Sequence, residues 1–305
     1  TYRVRDDRIR SPASRTAAKA KGFHMARCIF RAVIASLFPV LMLAAPPTAR
    51  AQAPATQYVD LELVLAVDVS LSMDLEEQRL QRDGYVQAFR DAQIHKAIQS
   101  GPNGRIAVTY MEWAGAGIQA VVLPWRVLAS PADANAFADA LTAQPISRNL
   151  MTSISAAIEV SASLFDQNDV QGLRRVIDVS GDGPNNSGAP VEQKRDEAGR
   201  AGVTINGLAI ELAPGRGRYS YFDLPDLSRY YKDCVITGPG SFVLAIKKKD
   251  EFATAIRQKL LLEIASREPD RPARIRPIQF KALPADKYDC LIGEKMWQEY
   301  RSDDW

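Results

Sequence analysis

From residue 61 onward, short runs of apolar and β-branched residues alternate with stretches of helical period, and this alternation leaves few folds open. Strands are expected at residues 61–67, 106–113, 118–125, 176–179, 203–210 and 242–246. Helices are expected at 75–99, 131–142, 153–165, 190–201, 224–231 and 250–265. Strands separated by helices require crossover connections, which make a mainly parallel sheet with helices on both faces. Only Ala114-Gly115-Ala116-Gly117 separates the second strand from the third, so these two should form an antiparallel pair at one edge. The expected architecture is therefore α/β, a doubly wound six-stranded sheet with one antiparallel edge strand and a Rossmann-like layering.

The residues before the domain read differently. Residues 32–45 are strongly apolar but short. They follow Met25, Arg27 and Arg31, and they precede a Pro46-Pro47 break and the small-x-small triplet Ala49-Arg50-Ala51. This is the layout of a secretory signal, with cleavage expected near Ala51 and a periplasmic or secreted product. A membrane anchor is the alternative, but the run is short for a span and the triplet favours cleavage. The organisation read from the sequence is an upstream extension at 1–24, a signal peptide at 25–51, a linker at 52–58, a domain at 59–265 and a tail at 266–305. The tail after residue 265 is rich in Arg, Pro and Glu and reads as extended chain over the surface.

Charge matters once export is considered. Residues 1–51 hold ten of the 39 basic and two of the 36 acidic residues, so the cleaved chain carries 29 and 34, a net charge of −5. That balance, with no basic run, argues against nucleic acid as a partner. No later stretch is long and apolar enough to span a membrane. Cys234 and Cys290 remain after cleavage, and an oxidising compartment permits one disulfide between them; two unrelated thiols are the other possibility.

In a doubly wound sheet, the loops at the carboxyl ends of the strands form the ligand crevice. Three polar clusters fall there. Asp68-Val69-Ser70-Leu71-Ser72 follows the first strand, Thr152-Ser153 opens a helix, and Ser180-Gly181-Asp182-Gly183 follows the strand at 176–179. Asp68 and Asp182 offer carboxylates, and Ser70, Ser72 and Thr152 offer hydroxyls. Hard oxygens of this kind suit Mg²⁺, or Mn²⁺ or Ca²⁺. No His or Cys joins them, which disfavours zinc and copper. The D-x-S-x-S spacing lets alternate residues 68, 70 and 72 face one point.

The phrases LVLAVDVSLSM, LMTSISAAI and RRVIDVSGDGPNN resemble the von Willebrand factor A-domain and integrin families. The further phrases IAVTYMEW, TINGLAI, YYKDCVITGPGSF and DCLIGEKMW are similar to an exported bacterial family with this domain, DUF1194. The resemblance implies a metal-ion-dependent adhesion site on Asp68, Ser70, Ser72, Thr152 and Asp182, with an open metal position that a partner's Asp or Glu fills. It implies a binding module for a protein or peptide with an acidic residue, and no enzyme. One departure is Met151, where many A-domains carry Gly.

Two other functions compete. GDGPNN resembles a segment of haloacid-dehalogenase-type phosphatases, but those need a second Asp two residues after the nucleophile, and Ser70 stands there; Asn186 stands where their final acid would be. A structural domain with a vestigial metal site is the third reading, against which all five oxygen ligands are present. His95, on the first helix, reads as a solvated residue and not a base. Around the site, Trp113 is either a partner contact or a core residue. Glu112 is either an acid behind the metal ligands or a surface charge, with the surface reading preferred, and Asp74 either reaches a water near the ion or caps the helix. Tyr219, Tyr221 and Phe222, in an Arg- and Tyr-rich loop, are candidate partner contacts.

Overall fold

Every residue of the run Leu61–Asp68 is buried, so both faces of its strand must be covered. The computed structural model describes residues 57–212, 222–265 and 287–303. The elements run β1 (Gln57–Val59), β2 (Leu61–Asp68), α1 (Leu75–Arg90), α2 (Ala92–Gln99), β3 (Ile106–Trp113), β4 (Gln119–Leu128) and α3 (Pro131–Thr142). They continue through α4 (Ile154–Leu164), β5 (Val170–Gly172), β6 (Arg175–Gly181), α5 (Val191–Arg200) and β7 (Val203–Ile210). The last are α6 (Leu227–Tyr230), β8 (Val243–Ile246), α7 (Phe252–Ala265) and α8 (Ile292–Asp303).

The main sheet has six strands in the order β4-β3-β2-β6-β7-β8. All pairs are parallel except β3 with β4, which is the antiparallel edge expected from the short connection. Two cores follow from the period-two alternation along β2. Leu61, Leu63, Leu65 and Val67 pack with Tyr85 and Phe89 of α1, Phe137 of α3 and Ile256 of α7. Val64 and Ala66 pack on the other face with Ile158 of α4 and Val191 of α5. β1 and β5, not expected from the sequence, form a separate short parallel pair.

Three expectations need correction. The helix at 75–99 is two helices, because Asp91 adopts an extended conformation and its side chain accepts the Gln93 N–H, stopping α1 and capping α2. Glu112 is buried, not a surface charge: Arg82 reaches it from α1, and Ser147 donates its hydroxyl to it. The tail is not wholly extended, since α8 lies within it. Residues 1–56, which include the extension and the signal, fall outside the described residues. Among the described residues, no helix is long and apolar enough to cross a membrane.

One buried ionic cluster ties α7 to the sheet. Lys259 on α7 lies 2.6 Å from Asp178 on β6 and 2.5 Å from Glu263, all three fully buried. Tyr85 donates to Asp178, and Asn206 donates to Glu263. Burial, then the Asp178 charge, pushes Glu263 up to about 7. Removing the cation leaves two carboxylates in an apolar layer without compensation. Lys259→Met should cost about 3–5 kcal/mol in urea unfolding, whereas an exposed pair such as Arg90–Asp139 should cost about 0–1 kcal/mol when broken.

Candidate metal centre

β2 ends on Asp68, and β6, its parallel neighbour, ends one residue before Asp182. The topology therefore brings two acids to one end of adjacent strands. Asp68 is fully buried, and its Oδ1 accepts the Ser70 N–H at 2.7 Å. The Ser70 and Ser72 hydroxyls are 2.8 Å apart, and Ser72 Oγ donates to Asp182 Oδ1 at 2.6 Å. Ser72 is left for this role because Asp74 caps α1, in a reciprocal pair with Glu77.

The second loop is tied to the first. The Asn149 N–H donates to the Val69 carbonyl at 2.9 Å, and Arg148 donates to the Met73 carbonyl at 2.7 Å. Met151 turns the chain with φ +70°, the left-handed region that favours glycine. Thr152 is then fixed from the third loop. Its N–H donates to Asn186 Oδ1 at 2.8 Å, and its carbonyl accepts the Asn186 N–H at 2.8 Å. Asn185 accepts the Ser155 N–H at 3.0 Å. Sequence reasoning gave Asn185 and Asn186 no role beyond the phosphatase comparison; here they clamp the loop that carries Thr152.

The site fits a cation. Asp68 Oδ2 is buried without a hydrogen-bond partner, and so is the Tyr231 hydroxyl. Both lie beside Gly181, where a Cβ would stand 2.7 Å from Asp68 Oδ2 and 2.9 Å from the Tyr231 oxygen. Burial pushes Asp68 up to about 7, against the pull of its Ser70 hydrogen bonds. Burial, then the Asp68 charge, holds Asp182 well above the usual carboxylate range, and Asp223 and Glu77 add to the repulsion. Among the described residues, no ion pair reaches Asp68 or Asp182, and no group of three or more His, Cys, Asp or Glu is placed to hold a metal. Two carboxylates with three hydroxyls are an all-oxygen set of another kind, one that a divalent ion with some retained waters would satisfy. Asp68, Ser70, Ser72, Thr152 and Asp182 are the residues that would hold it.

The remaining candidates separate cleanly. Trp113 is fully buried in the core under α4, so it is no partner contact; its place at the end of β3 turns the ring inward. Tyr219 and Tyr221 lie outside the described residues. Phe222 is half-buried and packs on Trp297 and Tyr300 of α8. His95 is half-buried, its Nε2 2.7 Å from the Phe89 carbonyl. Cys234 and Cys290 form a disulfide, with Cα atoms 5.5 Å apart. Tyr231, Asp223, Trp297 and Tyr300 carried no expectation. A helical stripe at Ile292, Met296 and Tyr300 is the signal that finds α8.

Fold and site together define a doubly wound α/β domain with an acidic, all-oxygen cluster at the carboxyl edge of its sheet. The family model described as "Protein of unknown function (DUF1194)" matches residues 58–268, and the chain belongs to that family. No curated protein sequence matches it. Similar solved structures include proximal thread matrix protein 1 from the mussel byssus, at 15% identity and TM-score 0.49, covering 69% of this chain and 49% of that one. Another structure of that protein has a zinc-occupied MIDAS motif. The pilus adhesin SpaC from Lactobacillus rhamnosus GG matches at 12% identity and TM-score 0.49, over 68% of this chain and 30% of that one. A von Willebrand factor type A structure from Catenulispora acidiphila matches at 13% identity and TM-score 0.46, over 68% and 43%. The match thus spans less than half of each of these proteins.

Raised carboxylate pKa values set a sign for stability. The metal-free fold holds more protons than the unfolded chain between about pH 4 and 7, so it loses stability as pH rises through that window. In EDTA, unfolding free energy should fall from pH 5 to pH 8. Asp68→Asn should remove part of that slope and stabilise the metal-free protein by on the order of 2 to 4 kcal/mol at pH 8, read by urea titration. A mutant less stable than the parent under those conditions would contradict the repulsion.

Proposed function

We propose that this protein is an exported binding module of the von Willebrand factor A type, and that it captures a partner through a divalent ion, Mg²⁺ by preference, held on Asp68, Ser70, Ser72, Thr152 and Asp182. The observation that carries this reading is the pair of neighbouring carboxylates at the carboxyl edge, Asp68 fully buried with an orphaned oxygen and Asp182 half-buried, neither with a cationic side chain among the described residues. A divalent ion there would neutralise both acids and keep a position open for a third carboxylate, supplied by a protein or peptide partner.

Binding fits this chemistry better than turnover. A phosphatase acting through Asp68 needs a general acid two residues on, and Ser70 supplies only a hydroxyl, 2.8 Å from Ser72. Export fits the Cys234–Cys290 disulfide, which persists in an oxidising compartment, and the apolar run at 32–45 before Ala49-Arg50-Ala51.

Mg²⁺ or Mn²⁺ should raise the thermal midpoint of the purified protein, and EDTA should reverse the shift. At a hundredfold excess over the dissociation constant the gain is roughly 2.7 kcal/mol. Asp68→Ala and Asp182→Ala should abolish it; Ser70→Ala should weaken it. Phosphate esters should show no turnover. A full shift in both Asp variants would remove the ion from this site, and phosphatase activity lost in Asp68→Asn would replace binding with catalysis.

A further inference from the structure

Above the oxygen cluster lies a cavity of about 260 Å³. Ser70, Ser72, Thr152 and Asp182 form its polar floor. Phe222, Trp297 and Tyr300 form an aromatic wall, and Leu150 and Met151 line it further. The three rings make one unit. Trp297 stacks on Tyr300 at 5.8 Å between centroids, and Phe222 packs on them at 5.7 and 5.6 Å. Among the described residues, no Lys, Arg or His lines the cavity.

The wall is anchored. The Cys234–Cys290 disulfide fixes the chain just before α8. Glu294 on α8 accepts from Asn185 at 2.7 Å, so the helix grips the same asparagine that holds the Thr152 loop. Gly293 sits so close to the Asn185 carbonyl that a Cβ there would come within 2.1 Å of it. The aromatic wall and the oxygen floor are thus one construction.

We infer that the carboxylate this site takes is borne on an aromatic or branched apolar body and enters the cavity as a single narrow group, not as part of a broad protein surface. The inference rests on the metal-dependent reading above and specifies its ligand. Three observations carry it. The volume is near the lower end of small-ligand sites, about 300 to 1,000 Å³, which leaves room for one side-chain-sized group. The wall is aromatic, so an apolar body is buried against it with a gain that a bare acid lacks. The floor is acidic and the lining holds no cationic side chain among the described residues, so a carboxylate enters only after a divalent ion has neutralised Asp68 and Asp182. The same chemistry is offered by a free arylalkyl acid and by the carboxyl end of a peptide.

The test is calorimetric titration of the full chain in excess Mg²⁺ with 3-phenylpropionate, acetate and 3-phenylpropylamine. The expected result is binding of 3-phenylpropionate about tenfold or more tighter than acetate, lost in EDTA. Trp297→Ala should bring its affinity to that of acetate while the Mg²⁺ thermal shift persists. Phe222→Ala, outside α8, should act in the same direction if the Trp297 variant misfolds. A short peptide ending in Phe, compared with its amide and with the free acid, distinguishes the sources, and preference for either carboxylate supports the inference. Equal affinity for acetate and 3-phenylpropionate, with the Mg²⁺ shift intact, overturns the inference and leaves the metal reading standing. Binding of 3-phenylpropylamine that survives EDTA also overturns it, making the cavity a site for organic cations. Absence of the Mg²⁺ shift in the parent protein overturns both.

Discussion

Asp68, fully buried, and Asp182, half-buried on the cavity wall, repel one another, and the three loops around them hold against that repulsion. The acids meet because β2 and β6 are parallel neighbours that end at the same edge. Burying one carboxylate costs several kcal/mol unless it is compensated, and burying two together costs more. The compensation in the chain is modest: the backbone N–H groups of Ser70 and Asp182 on Asp68, and a run of serine hydroxyls that passes from Ser70 through Ser72 to Asp182.

Several other buried acids in the described residues are paired with a cation. Glu112 has Arg82, and Asp178 and Glu263 share Lys259. Glu62 has Arg175 at 3.6 Å and two hydrogen bonds, from Asn168 and the Gly172 N–H. Each of these clusters carries a cation from its own sequence; Asp60 is held instead by hydrogen bonds from Asn103 and the Arg105 N–H, and among the described residues the carboxyl-edge pair has neither a cation nor a partner for Asp68 Oδ2. The contrast supports the proposal that the missing partner is something the chain binds. It also explains the loops: the Asn185 and Asn186 clamp, the Arg148 bonds to the first loop and the left-handed turn at Met151 hold Thr152 beside Asp182, which side-chain attraction alone would not do.

Much of this was legible in the sequence because it depends on local period and order. The strand runs and the short link at 114–117 carry the sheet, including its antiparallel edge. D-x-S-x-S directly after a strand, followed in order by Thr152 and Asp182, marks the residues of the proposed site. What the sequence hid depends on distant partners. Glu112 reads as a surface charge because Arg82, its partner, lies thirty residues away on another element. The break at Asp91 hides inside a continuous helical period, since a capping side chain ends one helix by starting another. Trp297 and Tyr300 lie past a Pro- and Arg-rich stretch that masks the helical stripe of α8. Their role depends on a disulfide and on Asn185, and neither contact has a local signature.

The central claim is that a divalent ion belongs between the two acids, and anomalous diffraction tests it most directly. Crystals of the purified protein grown with Mn²⁺ should show one anomalous peak enclosed by oxygens of Asp68, Ser70, Ser72, Thr152 and Asp182, at distances near the ~2.1 Å typical of small hard divalent ions. The peak should be absent in Asp182→Ala crystals. Crystals saturated with Mn²⁺ that show no density there, with both carboxylates still side by side, would contradict the account.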